Sequence, residues 1–224
     1  MPYKYAYLLG DLILFAVWSI LFLRKDLRKE ILTVSIIGGV LGPLSEAFYI
    51  RDYWQPQLFN GWTIGIEDFL FGFFFTGITA SIYEEVFGKR FIKKASKPFW
   101  IFNVVPLVFT ILFLLYLLVF RFGLNSIYAS IAIFLLLSIV IMYTRRDLFK
   151  DSIMSGFLVS IIGMLGYFLL LNFFPRLFDK FWMMHNISGI TMFNVPIEEI
   201  LWAFSFGMFL GPYWEFLKGY KLGK

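Results

Sequence analysis

The sequence contains no cysteine and a single histidine, so two common sources of catalytic and metal-binding groups are almost missing. Without cysteine there are no disulfides, no thiolate chemistry and no cysteine-ligated metals. The histidine, His185, falls in a predicted loop, where we expect a surface or packing residue and not a metal ligand. Charge is scarce as well, since 16% of the residues are charged and 60% are hydrophobic. That balance lies outside the range of soluble domains and predicts an integral membrane protein.

Two phosphate-binding motifs are also missing. The chain has no G-x-G-x-x-G loop, which dinucleotide-binding folds use to approach a pyrophosphate. It has no D-D-x-x-D repeat, through which Mg²⁺ would hold a diphosphate. A Mg²⁺ or Ca²⁺ site is a competing interpretation of the carboxylates described below, but we expect no metal and no cofactor.

Long apolar runs dominate what is present. A hydrocarbon core of roughly 30 Å requires about 20 apolar residues per helix, and the chain has seven runs of that order. They cover residues 5–23, 31–50, 66–87, 99–120, 124–143, 152–174 and 195–217. The first run lacks a strong basic flank and a small-residue cleavage site, so we interpret it as a span and not as a signal peptide.

Basic residues are concentrated on the loops that follow the first, third, fifth and seventh runs. The net charge is +5, and most of the 20 Lys and Arg residues lie on these loops. They are Arg24, Lys25, Arg28, Lys29, Lys89, Arg90, Lys93, Lys94, Lys97, Arg145, Arg146, Lys150, Lys218, Lys221 and Lys224. The positive-inside rule then places the N-terminus outside and the C-terminus in the cytoplasm. Basic side chains at these positions are partners for membrane lipids, and we expect no nucleic acid partner.

Two pairs of segments indicate an internal repeat. LRKDLRKEIL, from Leu23, matches TRRDLFKDSI, from Thr144, at an offset of 121 positions. IGIEDFLFGFFF matches NVPIEEILWAFSF at an offset of 131, which aligns residues 66–68 with residues 197–199. Both copies begin with an outside-to-inside span, so the repeats are parallel, and such repeats commonly place a site at their interface. We predict an all-α integral membrane protein with seven transmembrane helices in one domain, residues 1–224. Its parts are a three-helix repeat (1–87), a linking helix (99–120) and a second three-helix repeat (124–217).

Carboxylates stand where apolar residues are expected. The doublets Glu67–Asp68 and Glu198–Glu199 lie at the heads of the third and seventh runs, and Glu46 lies inside the second run after Pro43. One interpretation is structural, because acidic residues stabilise a helix N-terminus and Glu46 is able to pair with Arg51. The functional interpretation is an acidic cluster, completed by Asp52, in which burial and mutual repulsion keep at least one carboxyl protonated. Neighbouring helical residues point about 100° apart, so only one member of each doublet is able to face a cavity.

Aromatic residues follow the doublets directly. With 30 Phe, 12 Tyr and 7 Trp, the chain has more rings than interfacial belts need. These rings either pack against lipid and core or line an apolar slot in which their π faces stabilise a carbocation. The candidate substrate-binding residues are Trp54, Asp52, Phe71, Phe74, Asn172, Asn194, Trp202 and Phe206.

The acidic motif and its surroundings resemble a known family. PIEE (Pro196 to Glu199), its partial copy GIED (from Gly65), RRDL (from Arg145) and the span layout are similar to the membrane-integral lycopene cyclase domain family. That family includes two-subunit bacterial carotenoid cyclases and the cyclase half of fungal bifunctional phytoene synthases. Only Pro196, Glu198 and Glu199 match the P-x-E-[ED] motif in full, because the first copy has glycine in place of proline.

The resemblance implies an isomerase that forms β-rings on a linear, lipid-soluble polyene without redox change and without a cofactor. It implies Glu198 or Glu199 as the general acid, with Glu46, Glu67 or Asp68 supporting it or accepting the proton. We expect a prokaryotic cell membrane protein, for which homo-oligomers and hetero-oligomers are both open alternatives. The competing interpretation is a small solute transporter with 3+1+3 repeats and intramembrane carboxylates, against which spans four to six offer few polar residues.

Overall fold

The computed structural model describes residues 1–93 and 102–223, and the described part is predominantly α-helical. Residues of the sequence analysis that lie outside these ranges are Lys94, Lys97, the first three positions of the predicted linking helix (99–101) and Lys224. The helices are α1 (Ala6–Phe22), α2 (Arg28–Asp52), α3 (Ile66–Phe87), α4 (Val104–Tyr116), α5 (Ser126–Thr144), α6 (Phe149–Phe173), α7 (Leu177–Phe181), α8 (Ile197–Leu210) and α9 (Tyr213–Lys218). Four short strands are β1 (Arg90–Lys93), β2 (Thr191–Met192), β3 (Val195–Pro196) and β4 (Tyr220–Gly223).

Within the described residues, six helices are long and apolar enough to cross a membrane. They correspond to α1 to α6, with α1 extended by a 3₁₀ turn at Tyr3–Tyr5 and α4 by a π turn at Leu117–Arg121. The chain is therefore an all-α membrane protein, as its composition predicts.

The seventh predicted span is divided into two helices. The first, α8, has 14 residues, which at about 1.5 Å per residue makes it roughly 21 Å long. It ends at Gly211, and Pro212 caps the short α9. Proline has no amide hydrogen for the helix ladder, so one continuous helix over residues 195–217 is not formed.

Two helix pairs in the bundle approach each other especially closely. In the α2–α3 pair, a Cβ at Gly72 would overlap the carbonyl oxygen of Gly38, and in the α6–α8 pair a Cβ at Gly207 would lie 2.7 Å from the Ser155 carbonyl oxygen. Small residues let the helix backbones approach, which is how helices associate in lipid. The pairs meet where Phe75 of α3 stacks on Phe206 of α8, with ring centroids 5.6 Å apart.

One end of the bundle, here called the basic end, carries the loops after α1, α3, α5 and α9. There Arg24 donates to the carbonyls of Glu84 and Lys89, and Arg145 donates to those of Glu215 and Tyr220. Arg145 follows Arg24 by 121 positions, and the carbonyl residues Glu215 and Tyr220 follow Glu84 and Lys89 by 131. These are the offsets of the matching sequence segments. Arg24 also donates to Asp26 at 3.0 Å, and this hydrogen bond lowers the pKa of that carboxyl.

A two-stranded ribbon closes the basic end. Strand β1 pairs antiparallel with β4, so that Arg90 faces Gly223 and Lys93 faces Tyr220. Each strand follows a helix that ends in a left-handed glycine, Gly88 after α3 and Gly219 after α9. A positive φ costs glycine little, which lets each chain turn directly from helix into strand.

The opposite end, here called the doublet end, is closed by the loops that contain residues 53–65 and 174–196. Asp52 ties the end of α2 to the start of α5, because its carboxylate accepts hydrogen bonds from the amide and hydroxyl of Ser126 at 3.2 and 2.6 Å. Its carbonyl accepts from the side chains of Asn125 and Asn186. A backbone bridge joins Trp54 to Trp182, so the two loops form one cap over the helix ends.

Candidate functional site

A cavity of about 390 Å³ lies beneath this cap, between α1, α2, α3, α6 and α8. Most of its lining side chains are aliphatic or aromatic. Three carboxylates also line it: Glu46 of α2, Asp68 of α3 and Glu199 of α8. An apolar pocket into which a few polar groups converge is the usual form of a binding or active site.

Each carboxylate doublet is divided between the cavity and the cap. Asp68 and Glu199 line the cavity, whereas Glu67 accepts a hydrogen bond from the Phe59 amide at 2.6 Å and Glu198 accepts one from the Ser188 amide at 2.9 Å. Consecutive helical side chains diverge by about 100°, which forces this division. Glu67 and Glu198 therefore fix the loops that cover the site.

Glu199 is surrounded by hydrogen-bond donors. The hydroxyls of Tyr53 and Tyr167 donate to its two oxygens, and the indole of Trp182 donates to Oε1 at 2.7 Å. Three donors on one buried carboxylate stabilise negative charge at that position. Glu199 is thus suited to face a cation or to accept a proton.

Asp68 and Glu46 have fewer partners. Oδ2 of Asp68 accepts from the Gly65 amide at 2.7 Å, while Oδ1 is buried, with the Tyr7 hydroxyl near Asp68 and no donor in the described part of the chain in hydrogen-bond geometry with Oδ1. Glu46 accepts from the indole of Trp54 at 3.1 Å, and the predicted alternative partner, Arg51, instead lies over the ring of Phe120. A buried carboxyl oxygen without a donor is suited to carry a proton itself.

Two further polar groups lie beside this pair of carboxyls. Asp11 of α1 is 2% exposed, and neither of its carboxylate oxygens has a hydrogen-bond partner within residues 1–93 and 102–223. It interacts electrostatically with Glu67 and Asp68, and the hydroxyl of Tyr7 lies near Asp68. Four carboxyl groups therefore lie close together at the doublet end of α1, α2 and α3: Asp11, Glu46, Glu67 and Asp68.

Aromatic rings form the cavity wall next to the carboxylates. Trp202 and Phe75 stack with centroids 5.6 Å apart, and Trp54 packs against Trp182 at 5.3 Å and against Tyr7 at 5.1 Å. Phe71 also lines the cavity. The π faces of such rings attract positive charge within about 6 Å.

The side of the cavity between α1 and α6 is formed by small and aliphatic residues. It includes Gly10 on α1 and Gly163 and Gly166 on α6. A Cβ at Gly166 would meet no atom of the described chain within 4 Å, so this glycine leaves open space. An elongated apolar molecule is able to occupy that space.

The remaining candidate residues lie away from the cavity lining. Asp52 holds the cap, Phe74 packs on Phe15 and Trp18, and Phe206 lies in the aromatic stack behind Trp202. The amide of Asn172 donates to the carbonyl of Phe168 on an exposed face of α6. Asn194 has a positive φ of 63° in the turn between β2 and β3.

Several residues of the site were not selected from the sequence. They are Tyr7, Asp11, Tyr53, Tyr167 and Trp182. The sequence does indicate one of them, because Asp11 is the single charged residue within its apolar run. The three donors of Glu199 come from separate parts of the chain, and only the folded cap brings them together.

A family comparison bears on one part of the chain. The model of the lycopene cyclase family matches residues 125–217, which run from α5 into α9 and contain Glu199 with its donors Tyr167 and Trp182. No curated protein and no solved structure matches the chain. The resemblance based on the PIEE motif is thereby confirmed for residues 125–217, which are similar to the lycopene cyclase family.

Proposed function

We propose that the protein is a carotenoid cyclase that closes β-type rings at the ends of a linear polyene inside the membrane. The observation that carries this proposal is the convergence of Glu46, Asp68 and Glu199 on one apolar, aromatic-walled cavity. Glu199 lies in the segment that matches the lycopene cyclase family. A non-redox cyclisation requires an acid, a base and a dry site, and the cavity offers residues for each of these roles.

The reaction begins with proton transfer to the terminal double bond of the polyene. Asp68, with Glu46 beside it, donates this proton, and the product is a tertiary carbocation. A neighbouring double bond attacks the cation and closes a six-membered ring, which moves the positive charge onto a ring carbon. Loss of a proton from the adjacent ring carbon to Glu199 forms the ring double bond. One proton is gained and one is lost, so the product is an isomer of the substrate.

The surrounding side chains support the charged steps. Trp202, Phe75 and Phe71 present ring faces or edges to the cavity in which the cation forms. Tyr53, Tyr167 and Trp182 hold Glu199 in place through hydrogen bonds. Such fixed groups stabilise charge without reorganising during the reaction. A proton must return from Glu199 to Asp68 before the next turnover.

The proposed architecture places this cavity between two halves. In it, residues 1–87 and 124–217 are parallel three-segment repeats, α4 is the linker, and α8 with α9 forms the seventh segment. Matching contacts of Arg24 and Arg145 support this arrangement, as does the pairing of β1 with β4. The positive-inside rule places the basic end in the cytoplasm and the N-terminus outside.

Pigment analysis of lycopene-accumulating cells tests the proposal. We expect cells that express this chain to form cyclic carotenoids, and we expect Asp68→Asn and Glu199→Gln to lower that product by about 100-fold or more, the usual effect of losing an acid or base. The matched control is Asp179→Asn, which changes an exposed carboxylate on α7. Unchanged lycopene in cells with folded, membrane-inserted protein would contradict the proposal.

A polar solute is the competing cargo. Its path would need hydrogen-bonding groups along the cavity, whereas the wall between α1 and α6 is aliphatic. Uptake of a water-soluble solute by proteoliposomes would favour the transporter, and we expect none.

A further inference from the structure

Four carboxylates are buried together at the basic end, far along the helices from the doublets. Glu30 lies in the first turn of α2, Glu84 in the last turn of α3, Asp151 in the first turn of α6, and Glu215 in α9. Each is at most 2% exposed. Asp151 follows Glu30 by 121 positions and Glu215 follows Glu84 by 131, so the four form two matched pairs. We call them the inner cluster.

The members of the inner cluster face one another. One carboxylate oxygen from each of Glu84, Asp151 and Glu215 lies within 4.8 Å of the other two. Glu30 completes the group, because it interacts electrostatically with Glu84, Asp151 and Glu215. Three oxygens at this spacing are able to surround a cation at 2.0–2.6 Å, the range of oxygen ligands of Mg²⁺ and Ca²⁺.

The carboxylate oxygens lack the donors that burial normally requires. Ser155 donates to Oδ1 of Asp151 at 3.0 Å, and in the part of the chain that the structure describes no donor reaches any other oxygen of the cluster. Burial of ionised carboxylates without partners costs several kcal/mol or more for each group. Their negative charge must therefore be neutralised, either by a bound cation or by protons on the carboxyl groups.

The nearby guanidinium groups are committed elsewhere. Arg24 donates to Asp26 and to the carbonyls of Glu84 and Lys89. Arg145 donates to Asp147 and to the carbonyl of Tyr220. Arg24 is close enough to interact electrostatically with Glu30 and Glu84, but it donates to neither carboxylate.

We propose that the inner cluster binds one divalent, oxygen-preferring cation of the Mg²⁺ or Ca²⁺ class. Glu84, Asp151 and Glu215 supply the ligands, Glu30 supports them, and Ser155 orients Asp151. The cation joins α3 to α6 and α9, so it links the first half of the chain to the second at the end opposite the cavity. The proposal is independent of the cyclase activity and departs from the expectation of a metal-free protein.

Protons are the alternative source of neutralising charge. Glu84 and Glu215 approach each other closely enough to share a proton. One divalent ion and two protons together balance four carboxylates. Protons alone would have to neutralise all four groups.

The metal content of the full-length protein, purified in detergent, is the first test. We expect elemental analysis to find about one divalent ion per chain, and chelation with EDTA to lower the Tm measured from tryptophan fluorescence. Addition of Mg²⁺, Ca²⁺ or Mn²⁺ separately should restore the Tm saturably for at least one ion. Protein that carries no divalent metal, and whose Tm responds to none of the three ions, would overturn the proposal.

Variants assign the metal to this cluster. We expect Asp151→Asn and Ser155→Ala each to raise the Kd of the restoring ion about 10-fold or more, as changes to ligands and their supports do. In EDTA, Asp151→Asn should unfold no earlier than the parent, because it removes one of four repelling charges. Asp179→Asn is the matched control and should bind as the parent does. Equal binding by parent, Asp151→Asn and Ser155→Ala would overturn the assignment.

Discussion

At the scale of single residues, the PIEE motif holds two glutamates with different surroundings. Glu198 accepts hydrogen bonds from the Ser188 amide in the cap and from the Tyr128 hydroxyl on α5, the latter at 2.8 Å. Glu199 lines the cavity and is held by Tyr53, Tyr167 and Trp182. One motif therefore supplies both a structural group and a group that faces the substrate space.

This difference predicts separable effects within the motif. We expect Glu198→Gln to keep cyclic product within a few-fold of the parent, because its amide oxygen still accepts from Ser188. The same variant should lose about 1 kcal/mol of unfolding free energy, since a hydrogen bond to a charged acceptor becomes a neutral one. Pigment yield per folded protein and Tm together measure the two effects. If Glu198→Gln abolishes product as completely as Glu199→Gln, the division of roles is wrong.

The sequence predicts the carboxylates of the site better than it predicts their partners. Charged residues in apolar runs are conspicuous, so Glu46, Asp68 and Glu199 could be selected without a structure. Tyr167 is one of several aromatic residues in an apolar helix, and nothing in its spacing indicates a bond to Glu199. Which member of a doublet faces the cavity depends on the rotation of the helix, which packing decides.

At the scale of elements, glycines set the distance between paired helices. Helix boundaries were predictable from apolar runs, but run length alone did not show the division of the seventh run into α8 and α9, which Gly211 and Pro212 mark. Within α8, the Cα of Gly207 faces the backbone of Ser155 and Gly156. This contact lies beside the inner cluster, to which Asp151 and Glu215 belong.

Gly207→Ala is therefore expected to destabilise the α6–α8 pair. The added Cβ would lie 2.7 Å from the Ser155 carbonyl oxygen and 2.9 Å from the Gly156 Cα, and neither backbone atom is able to move away cheaply. We expect a loss of about 1–3 kcal/mol, typical of overpacking, measured as a lower Tm. Gly163→Ala is the control, since its Cβ would meet Ala203 at 3.9 Å. Equal Tm values for the two variants would contradict this account of the packing.

At the scale of the whole molecule, two distinct buried acidic sites lie at opposite ends of one bundle. The cavity at the doublet end is lined by helices from both halves of the chain, and so is the inner cluster at the basic end. At the basic end, Asp151 follows Glu30 by 121 positions. At the doublet end, Glu199 follows Asp68 by 131 positions. The matching segments were visible in the sequence. Only the tertiary structure shows that the carboxylates at each end of the bundle come together between the two halves of the chain.

The side of the cavity between α1 and α6 is expected to hold the polyene chain. Gly166 borders the cavity and has open space where a side chain would begin, so Gly166→Phe should place an aromatic ring at this side of the cavity. We expect cyclic product to fall at least about 10-fold while the Tm stays equal to or above that of the parent, because replacing a helix-interior glycine stabilises by roughly 0.5–1 kcal/mol. Gly166→Ala, which adds a single methyl group, should gain stability and keep most of the activity. Full cyclic product from Gly166→Phe would show that the polyene does not occupy this side of the cavity, and would move the substrate path to another pair of helices.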